Sequence, residues 1–332
     1  MLRLFSVLLL PFTLSAQLKR FEFTQNKMGS PFHLIFYHTD STKAISLAKE
    51  CYSIVDSLNA IFSDYTLESE VGKLSLQTTN SRLKVSDELF AMIIQSKKAW
   101  EKSGKTFDIT IGALTQFWRK TRNEKRFPSE SEIKKAKQST GFENVVIDEK
   151  SKTISFKKAG IRFDFGGIVK GYAAQRIIDY LRSKNISMAL ADAGGDIAMS
   201  NAPPDKNGWN ISMNLPEREN EFWDKKLELK NCAVATSGDV YRFTLHNGKK
   251  YSHIINPRTG YGVTSQRNVT VIAKDGAVAD WLATACSILP IEKALALAAK
   301  ENAALQIAIS KNEKISTYKT GDFDGYFQKK EP

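Results

Sequence analysis

The segment VADWLATA at residues 278–285 has the spacing that most directly suggests chemistry. It places Asp280 and Thr284 four positions apart, so a helix would carry both side chains on one face. A carboxylate and a hydroxyl on one face suit a hard cation with oxygen ligands. The same residues also occur without a ligand, where the helix dipole favours an aspartate near the helix start and a threonine bonds back to its own helix. The spacing alone leaves both interpretations open.

A second segment, FDFGGIVKGYAAQRI at residues 163–177, joins an aspartate, two glycines and a lysine to an amphipathic stretch. Glycines let a ligand approach the backbone, and free N–H groups at a helix start attract anions, so the segment could cradle a phosphate. It would equally suit a tight connection between a strand and a helix. A Walker phosphate-binding loop is excluded, because its lysine must precede Ser or Thr and Lys170 precedes Gly171.

A third segment, YSHIINPRTG at residues 251–260, contains His253. An unperturbed histidine titrates near neutrality, which suits a general base. A lone histidine in a strand is more often structural, and this alternative stays open at the level of sequence. We assign no role to His33, His38 or His246.

The helices and strands predicted from the sequence must position these residues. Together they indicate an α+β fold: a single large domain with a mostly antiparallel sheet flanked by helices. Apolar periodicity and capping residues predict helices at 41–62, 86–102, 130–140, from the 163–177 segment to about 184, at 276–288 and at 291–301. Strands are predicted within 18–37 around a turn at 27–30, at 144–148, 152–156, 161–165, 188–192, 209–214, 226–230, 241–245, 250–255 and 268–273, and as a pair within 305–318. Residues 63–75 are predicted to form a polar loop.

The composition is that of an ordinary globular protein. The chain has 332 residues, of which 42% are hydrophobic, and it contains no evident linker or repeat, which favours one domain over two.

The formal net charge is +12, with lysine densest in 119–138 and near the C-terminus. Such a surface is compatible with simple solvation and with attraction to a polyanionic ligand or an anionic membrane face. No nucleic-acid motif accompanies the charge, so we expect no nucleic-acid partner.

The three cysteines are Cys51, Cys232 and Cys286. They show neither close pairing nor metal-ligand spacing, and each lies in an apolar context. We therefore expect buried free thiols, although export would permit a disulfide.

The first residues, MLRLFSVLLLPFTLSAQ, have the three parts of a secretory signal: Arg3, an apolar run and a small-residue cleavage site at 14–16. The apolar run, roughly 10–12 residues, is too short to span a bilayer comfortably. We expect a signal peptide at residues 1–16, a mature domain at 17–332, and a periplasmic or otherwise exported protein. No cysteine lies near residue 17, so no lipid anchor is indicated.

The segments above belong to a longer series with a fixed order. The series is MGS at 28–30, SDYTLESEV at 63–71, GKTFDITIGAL at 104–114, FDFGGIVKGYAA at 163–174, DAGGDI at 192–197, ATSGDVYRF at 235–243, YSHIINPRTG at 251–260 and VADWLATA at 278–285. In this order the series resembles the ApbE-type FAD:protein FMN transferases, and the match spans essentially the whole mature domain. The resemblance implies an ApbE-like fold, related to the T-fold.

The resemblance implies a Mg²⁺ site. In the family, an aspartate and a threonine at the positions of Asp280 and Thr284 hold Mg²⁺, and a backbone carbonyl from the glycine block, here Gly167, completes the protein ligands. Some relatives have a second carboxylate at the position of Ala283, which here could offer only its backbone.

The resemblance also implies that FAD binds as a substrate. Asp164 and Lys170 should face FAD and its metal, with Lys170 near the pyrophosphate or adenosine, where a cation offsets phosphate charge. Thr106, Phe107 and Asp108 match an A-F-D motif that contacts the flavin nucleotide, with Thr106 in place of the usual alanine. Asp108 could instead cap a helix at 109–117.

Further contacts follow from the same resemblance. Met28 and Tyr65 match positions that pack against the flavin or adenine rings, although either could be an ordinary core or surface residue. Ile254 is expected to offer a backbone or apolar contact to FAD. His253 is the expected base for proton transfer.

Secondary candidates for phosphate or metal-water contacts are Arg258, Ser237 and Asp239. Asn256 stands where many relatives have aspartate, which argues against an essential carboxylate there.

The activity implied by the resemblance is Mg²⁺-dependent transfer of FMN from FAD to a Ser or Thr hydroxyl of a protein, with release of AMP. Family acceptors carry a short Asp-Gly-x-(Ser/Thr)-(Gly/Ala)-(Thr/Ser) segment, typically in exported flavoprotein subunits of membrane redox complexes. This chain has no obvious segment of that kind, so the acceptor is expected to be a separate protein close to a membrane. Two alternatives remain open: a Mg²⁺-dependent FAD pyrophosphatase that yields FMN and AMP, and a non-catalytic FAD-binding protein.

Overall fold

The computed structural model describes residues 17–216, 221–238, 243–311 and 314–329. Within these ranges the chain forms a large antiparallel sheet with helices packed against it, which confirms the predicted α+β fold. The predicted signal peptide at 1–16 lies outside the described residues. No helix in the described ranges combines the length and apolarity needed to cross a membrane.

Helices follow the predicted pattern at most positions. They are α1 (Ser41–Phe62), α2 (Glu70–Leu74), α3 (Asp87–Lys102), α4 (Gly112–Asn123), α5 (Glu130–Lys137), α6 (Val169–Ser183), α7 (Gly276–Ile288) and α8 (Ile291–Lys300). Side-chain oxygens satisfy free N–H groups at five of the described helix starts, among them those of α1, α3 and α7, which Asp40, Ser86 and Asp275 cap. At α5, Ser129 and Glu132 form a reciprocal capping box.

Strands of the described residues form one large sheet and smaller ribbons. They are β1 (Lys19–Lys27), β2 (Ser30–His38), β3 (Leu83–Lys84), β4 (Val145–Asp148), β5 (Thr153–Phe156), β6 (Ala189–Ala193), β7 (Ile197–Met199), β8 (Trp209–Ile211), β9 (Leu227–Leu229), β10 (Cys232–Ser237), β11 (Phe243–His246), β12 (Lys249–Ser252), β13 (Arg267–Ala273), β14 (Ala304–Lys311) and β15 (Lys314–Lys319). The large sheet has the order β1-β2-β6-β7-β10-β13-β14-β15. Each neighbouring pair in it is antiparallel.

The two faces of the large sheet bury different clusters. In β10, Ala233 and Ala235 join the cluster beneath the helices, whereas Val234 joins a second cluster that includes Trp209. This follows from the alternation of side chains along a strand. The central strands are therefore covered on both sides, which explains their mostly apolar sequences, whereas the edge strands β1 and β15 remain largely exposed and polar.

Helices α6 and α7 lie side by side on the large sheet, with α7 against β10 and β13 and α6 against β6 and β7, and the side chains of α7 are buried almost all round. Contact with α6 is unusually close at two glycines: a Cβ atom on Gly171 would lie 2.1 Å from the carbonyl oxygen of Gly276. Only residues without a Cβ allow this approach. It sets the position of the functional corner described below.

Several predicted elements were wrong. Residues 161–165 form no ladder strand, because only Arg162 bridges Ile111 and the chain then turns towards α6. The predicted loop at 63–75 contains α2, whose five residues are too few to show helical periodicity. Strands β7 and β10 were not predicted, since runs buried on both faces lack polar alternation. The predicted strand at 241–245 begins outside the described residues.

Candidate active site

A cavity of about 550 Å³ opens where α4, α6, α7 and the end of β12 meet. This volume lies within the usual range for small-molecule sites, about 300–1,000 Å³. Most of the residues predicted from sequence line it: Tyr65, Thr106, Phe107, Asp108, Asp164, Gly167, Lys170, His253, Ile254, Asp280 and Thr284. Segments far apart in sequence thus converge on one cavity.

Met28 is the predicted contact that does not line the cavity. It packs, partly buried, against the main core, while the three residues that follow it, 29–31, form part of the cavity wall. The backbone of Met28 adopts the left-handed conformation, with φ of 49°, in the turn between β1 and β2. The expectation that Met28 touches a flavin ring stays a prediction.

Asp280 lies in the interior of α7. It is the fifth residue of a helix that begins at Gly276 and is capped by Asp275, so it is not an ordinary first-turn acid. Its carboxylate accepts a hydrogen bond of 3.0 Å from the amide of Gly171, at the start of α6. The α6 start therefore already holds an anion, and the amide of Gly171 is not available to a phosphate.

Thr284 faces the same corner one turn further along α7. Its hydroxyl makes no hydrogen bond to any described residue, unlike Ser287, whose hydroxyl donates to the carbonyl of Ala283 at 2.8 Å. Gly167 approaches Thr284 closely, because a Cβ atom there would lie 2.7 Å from the threonine Oγ1. The alternative in which Thr284 bonds back to its own helix is therefore wrong. Ala283 has its side chain fully buried.

These donors fit a hard cation. Burial, and then the negative charge of Asp196, raise the pKa of Asp280, so its carboxylate is costly to ionise without a nearby positive charge. An acid, an unengaged hydroxyl and the Gly167 backbone supply only oxygen atoms, the ligands that Mg²⁺ prefers. No group of three or more His, Cys, Asp or Glu side chains in the described ranges could hold a metal. A cation here would need solvent or substrate oxygens as further ligands.

Asp196 is a cavity residue that sequence reasoning missed. It is buried, follows the turn between β6 and β7, and forms an ion pair with Lys170. The segment DAGGDI was part of the family pattern, and its second aspartate was the signal that could have identified it. The pair places Lys170 beside the Asp280 corner, and the expected contact of Lys170 with a pyrophosphate stays a prediction.

The motif at residues 106–108 forms a buried wall of the cavity. Asp108 accepts hydrogen bonds from the amide and the hydroxyl of Thr110, at 2.8 and 2.6 Å. Helix α4 begins at Gly112 without a side-chain cap, so the alternative in which Asp108 caps this helix is wrong. Burial raises the pKa of Asp108, and the two bonds from Thr110 oppose this rise. Phe107 packs against Trp281 of α7, with ring centroids 6.1 Å apart.

Tyr65 belongs to a cluster with two further residues that sequence reasoning missed. Tyr65 as a whole is 73% exposed, and the guanidinium of Arg119 lies 3.8 Å from the centroid of its ring. Arg119 also pairs with Asp64 at 2.8 Å. Burial, and then the charge of Asp164, raise the pKa of Asp64, whereas Arg119 lowers it. The ring of Tyr65 thus rests against a guanidinium that Asp64 anchors, and its stacking against a flavin or adenine ring stays a prediction.

His253 is exposed, lines the cavity and directly follows β12. Ile254 donates its amide to the hydroxyl of Ser252 at 3.1 Å, which shapes the turn after this strand. Of the secondary candidates, Ser237 lines the cavity and Asp239 lies outside the described residues.

Arg258 is not among the cavity residues, and its guanidinium donates instead to the carbonyl of Gly104 at 2.9 Å. The side-chain oxygen of Asn256 accepts a hydrogen bond from the amide of Arg258, and this contact lies within the turn.

The antiparallel sheet, the cavity beside α7 and the oxygen donors in it define an α+β protein with a ligand cavity. The chain belongs to the ApbE family, whose model it matches over residues 28–309. This confirms the family indicated by the sequence motifs.

Known proteins of this family are similar along most of the chain. A Klebsiella pneumoniae protein named FAD:protein FMN transferase is 27% identical over 289 residues, 87% of this chain and 88% of that protein. A Treponema pallidum protein of the same name is 28% identical over 263 residues, 75% of this chain and 73% of that protein. The crystal structure of the ApbE protein from Thermotoga maritima matches with a TM-score of 0.85 and 27% identity, over 94% of this chain and 100% of that one.

Proposed function

We propose that this protein transfers FMN from FAD to a Ser or Thr hydroxyl of an exported acceptor protein and releases AMP. Membership of the ApbE family and the activity named for its curated relatives support the reaction. The observation that carries the proposal is the meeting of Gly167, Asp280 and Thr284 with His253 in one cavity.

The oxygen corner supports a Mg²⁺-dependent reaction. The carbonyl of Gly167, the carboxylate of Asp280 and the hydroxyl of Thr284 would hold Mg²⁺, which when bound supplies positive charge to a pyrophosphate as its bond breaks. Lys170 adds a cation beside this corner, and Asp196 holds its ammonium group in place. Asp108 and Phe107 form the wall against which the nucleotide would bind, and Tyr65 offers a ring for stacking.

His253 is the residue we assign to proton transfer. It accepts the proton of the acceptor hydroxyl, whose oxygen then forms a bond to the FMN phosphorus. The bond between that phosphorus and the bridging oxygen breaks, and its electron pair leaves with AMP. The proton passes from His253 to solvent.

Hydrolysis is the second candidate function. Because His253 is exposed, water can reach it as readily as an acceptor hydroxyl can. Water in place of the acceptor would give free FMN and AMP. A protein that only binds FAD is the non-catalytic alternative, and it would have no use for a base beside the oxygen corner.

The proposal is tested by incubating the protein with FAD, Mg²⁺ and a purified exported domain that carries the acceptor segment. We expect flavin fluorescence on the acceptor band in a denaturing gel. Free FMN without a labelled band would instead identify a pyrophosphatase, and intact FAD would identify a binding protein.

His253→Ala should lower the rate of transfer by roughly 10²–10⁴ and leave FAD binding in place, because only the proton acceptor is removed. His33→Ala is the matched control. His33 bonds to Thr24 at 2.9 Å and does not line the cavity, so this variant should transfer at the wild-type rate. Wild-type transfer by His253→Ala would assign the base elsewhere.

The site of action is part of the same proposal. The predicted signal at residues 1–16 supports a periplasmic or otherwise exported enzyme that meets a flavoprotein subunit of a membrane redox complex. Mass spectrometry of the protein from a periplasmic fraction should find a mature N-terminus close to residue 17.

A further inference from the structure

A strongly basic face lies at one side of the cavity. It consists of Lys120, Arg122, Lys125, Arg126, Lys249 and Lys250, and we refer to these six residues as the basic face. They come from the end of α4, the connection to α5 and the β11–β12 hairpin. Residues 119–138 alone carry eight Lys or Arg against three Glu, a net charge of +5.

Ring stacking joins the two parts of the basic face. Phe127, in the connection after α4, stacks on His246 of the hairpin with ring centroids 3.8 Å apart and planes 7° apart. Trp118 of α4 stacks on Tyr251 of the hairpin, with centroids at 6.2 Å. These contacts hold the hairpin against α4, so the charges of both parts act on one approaching partner.

The same two parts also form walls of the cavity. Helix α4 contributes Trp118, Arg119 and Arg122 to its lining, and the hairpin contributes Thr244 and Ser252 just before His253. An acceptor that brings its hydroxyl to His253 must therefore come within reach of the basic face.

Among the described acids, Glu124 and Glu132 offset the charge of Arg126 and leave Lys120, Lys125 and Lys249 largely uncompensated. Glu124 and Glu132 both pair with Arg126, at 2.7 and 2.9 Å, and Lys120 approaches Glu124 only to 3.8 Å while remaining 70% exposed. Lys125 and Lys249 are exposed, and neither forms an ion pair with another described residue.

The hairpin adds two exposed apolar side chains. Leu245 is 66% exposed and Phe243 is 39% exposed, with the ammonium of Lys250 lying 4.3 Å from the phenyl centroid. Exposed apolar groups beside cations are typical of a protein-binding surface with a small apolar centre and a charged rim.

We propose that the basic face docks the acceptor protein through an acidic surface of that protein, with Phe243 and Leu245 as apolar contacts. This inference rests on the proposed transferase function. Charge complementarity identifies the partner as acidic, and the shared wall with the cavity identifies it as the acceptor. An anionic membrane would meet the same charges, but two apolar side chains on a short hairpin offer little area for insertion compared with an amphipathic helix.

The test uses a triple variant, Lys120→Glu, Lys125→Glu and Lys249→Glu, because none of these residues lines the cavity. Three rates are measured: transfer to the purified acceptor domain, transfer to a synthetic peptide that carries only the acceptor segment, and FAD hydrolysis without acceptor. We expect KM for the domain to rise roughly tenfold at low salt with little change in kcat. Transfer to the peptide and hydrolysis should stay at wild-type rates, which also shows that the variant is folded.

The matched control is Lys98→Glu, Lys293→Glu and Lys300→Glu. These exposed lysines lie on α3 and α8, outside the basic face, and their reversal changes the net charge equally. The control should keep the wild-type KM for the domain. Added salt should raise KM for the wild type and the control, but much less for the triple variant.

Each other outcome overturns the inference. A wild-type enzyme that labels neither domain nor peptide refutes the transferase function and docking together. Labelling of both with an unchanged KM in the triple variant refutes docking alone, and an equal rise in the control assigns the effect to net charge. If vesicles of phosphatidylglycerol and phosphatidylcholine bind the wild type but not the triple variant, while KM for the domain is unchanged, the basic face is a membrane surface instead.

Discussion

At the scale of single residues, the corner of Gly167, Asp280 and Thr284 is unlike an ordinary helix interior. Asp280 is only 4% exposed. Its carboxylate accepts a hydrogen bond from the amide of Gly171 and has the negatively charged Asp196 as a neighbour. Burying a carboxylate is costly unless it is paired. A threonine hydroxyl without a described partner faces the same corner, so a bound cation would satisfy both groups.

The hydroxyl of Thr284 can be tested by Thr284→Val, which keeps the shape of the side chain. We expect the variant to fold, to need more Mg²⁺ for half-maximal activity, and to lose at least roughly tenfold in rate. Mg²⁺ titration of the transfer rate measures both effects. Thr284→Ser should restore activity, and Ser287→Ala is the control, because that hydroxyl bonds only its own helix. An unchanged Mg²⁺ requirement in Thr284→Val would contradict the proposed ligand.

At the scale of elements, the close contact of α6 and α7 sets the geometry of the corner. Gly171 and Gly276 let the two backbones approach, and the Gly171 amide then reaches Asp280. The position of the carboxylate therefore depends on two residues that have no side chain. The anion bound at the start of α6 is the carboxylate of Asp280. This explains why glycines and a helix start occur together in the segment 163–177.

Gly171→Ala tests this contact. The added Cβ would lie 2.1 Å from the Gly276 carbonyl oxygen, so the helices must separate. We expect a loss of about 1–3 kcal/mol in the free energy of unfolding, despite the better helix propensity of alanine, together with weaker Mg²⁺-dependent activity. Thermal or urea unfolding measures the loss. Gly321→Ala is the control, since no atom lies within 4 Å of its added Cβ, and equal stability of the two variants would refute the contact.

At the scale of the whole molecule, the sheet buries apolar residues on both faces, and the thiols lie within these layers. All three cysteines are free, as predicted; Cys51 and Cys286 are fully buried, as was also predicted, whereas Cys232 is only half-buried. Burial raises the pKa of Cys51 and Cys286 to about 12 and that of Cys232 to about 11. The thiolate is the reactive form of cysteine, so these thiols should be inert in the folded protein.

Labelling with iodoacetamide at pH 8 checks this arrangement. With these pKa values, roughly one thiol in a thousand or fewer is ionised, so the native protein should remain unlabelled. In denaturant the same reagent should label three cysteines, counted by mass spectrometry. Rapid native labelling would contradict the buried positions, and fewer than three labels after unfolding would reveal a disulfide.

Local features were readable from the sequence because they depend on nearby residues. Helices α1 and α7 have the predicted bounds, since helical periodicity and a capping residue are both local. The shared face of Asp280 and Thr284 follows from the same 3.6-residue period. Motif order also indicated the family, and most of the motif residues line one cavity.

Contacts between distant segments were decided only by the tertiary structure. The pairing of Lys170 with Asp196, the position of Arg119 over Tyr65 and the closeness of Gly171 to Gly276 each join separate elements. Strand β10 is apolar on both faces, so no alternation marked it, and it became recognisable only between β7 and β13. Such contacts form because distant apolar surfaces exclude water by packing against each other. Local sequence patterns do not indicate which distant segments will pack together.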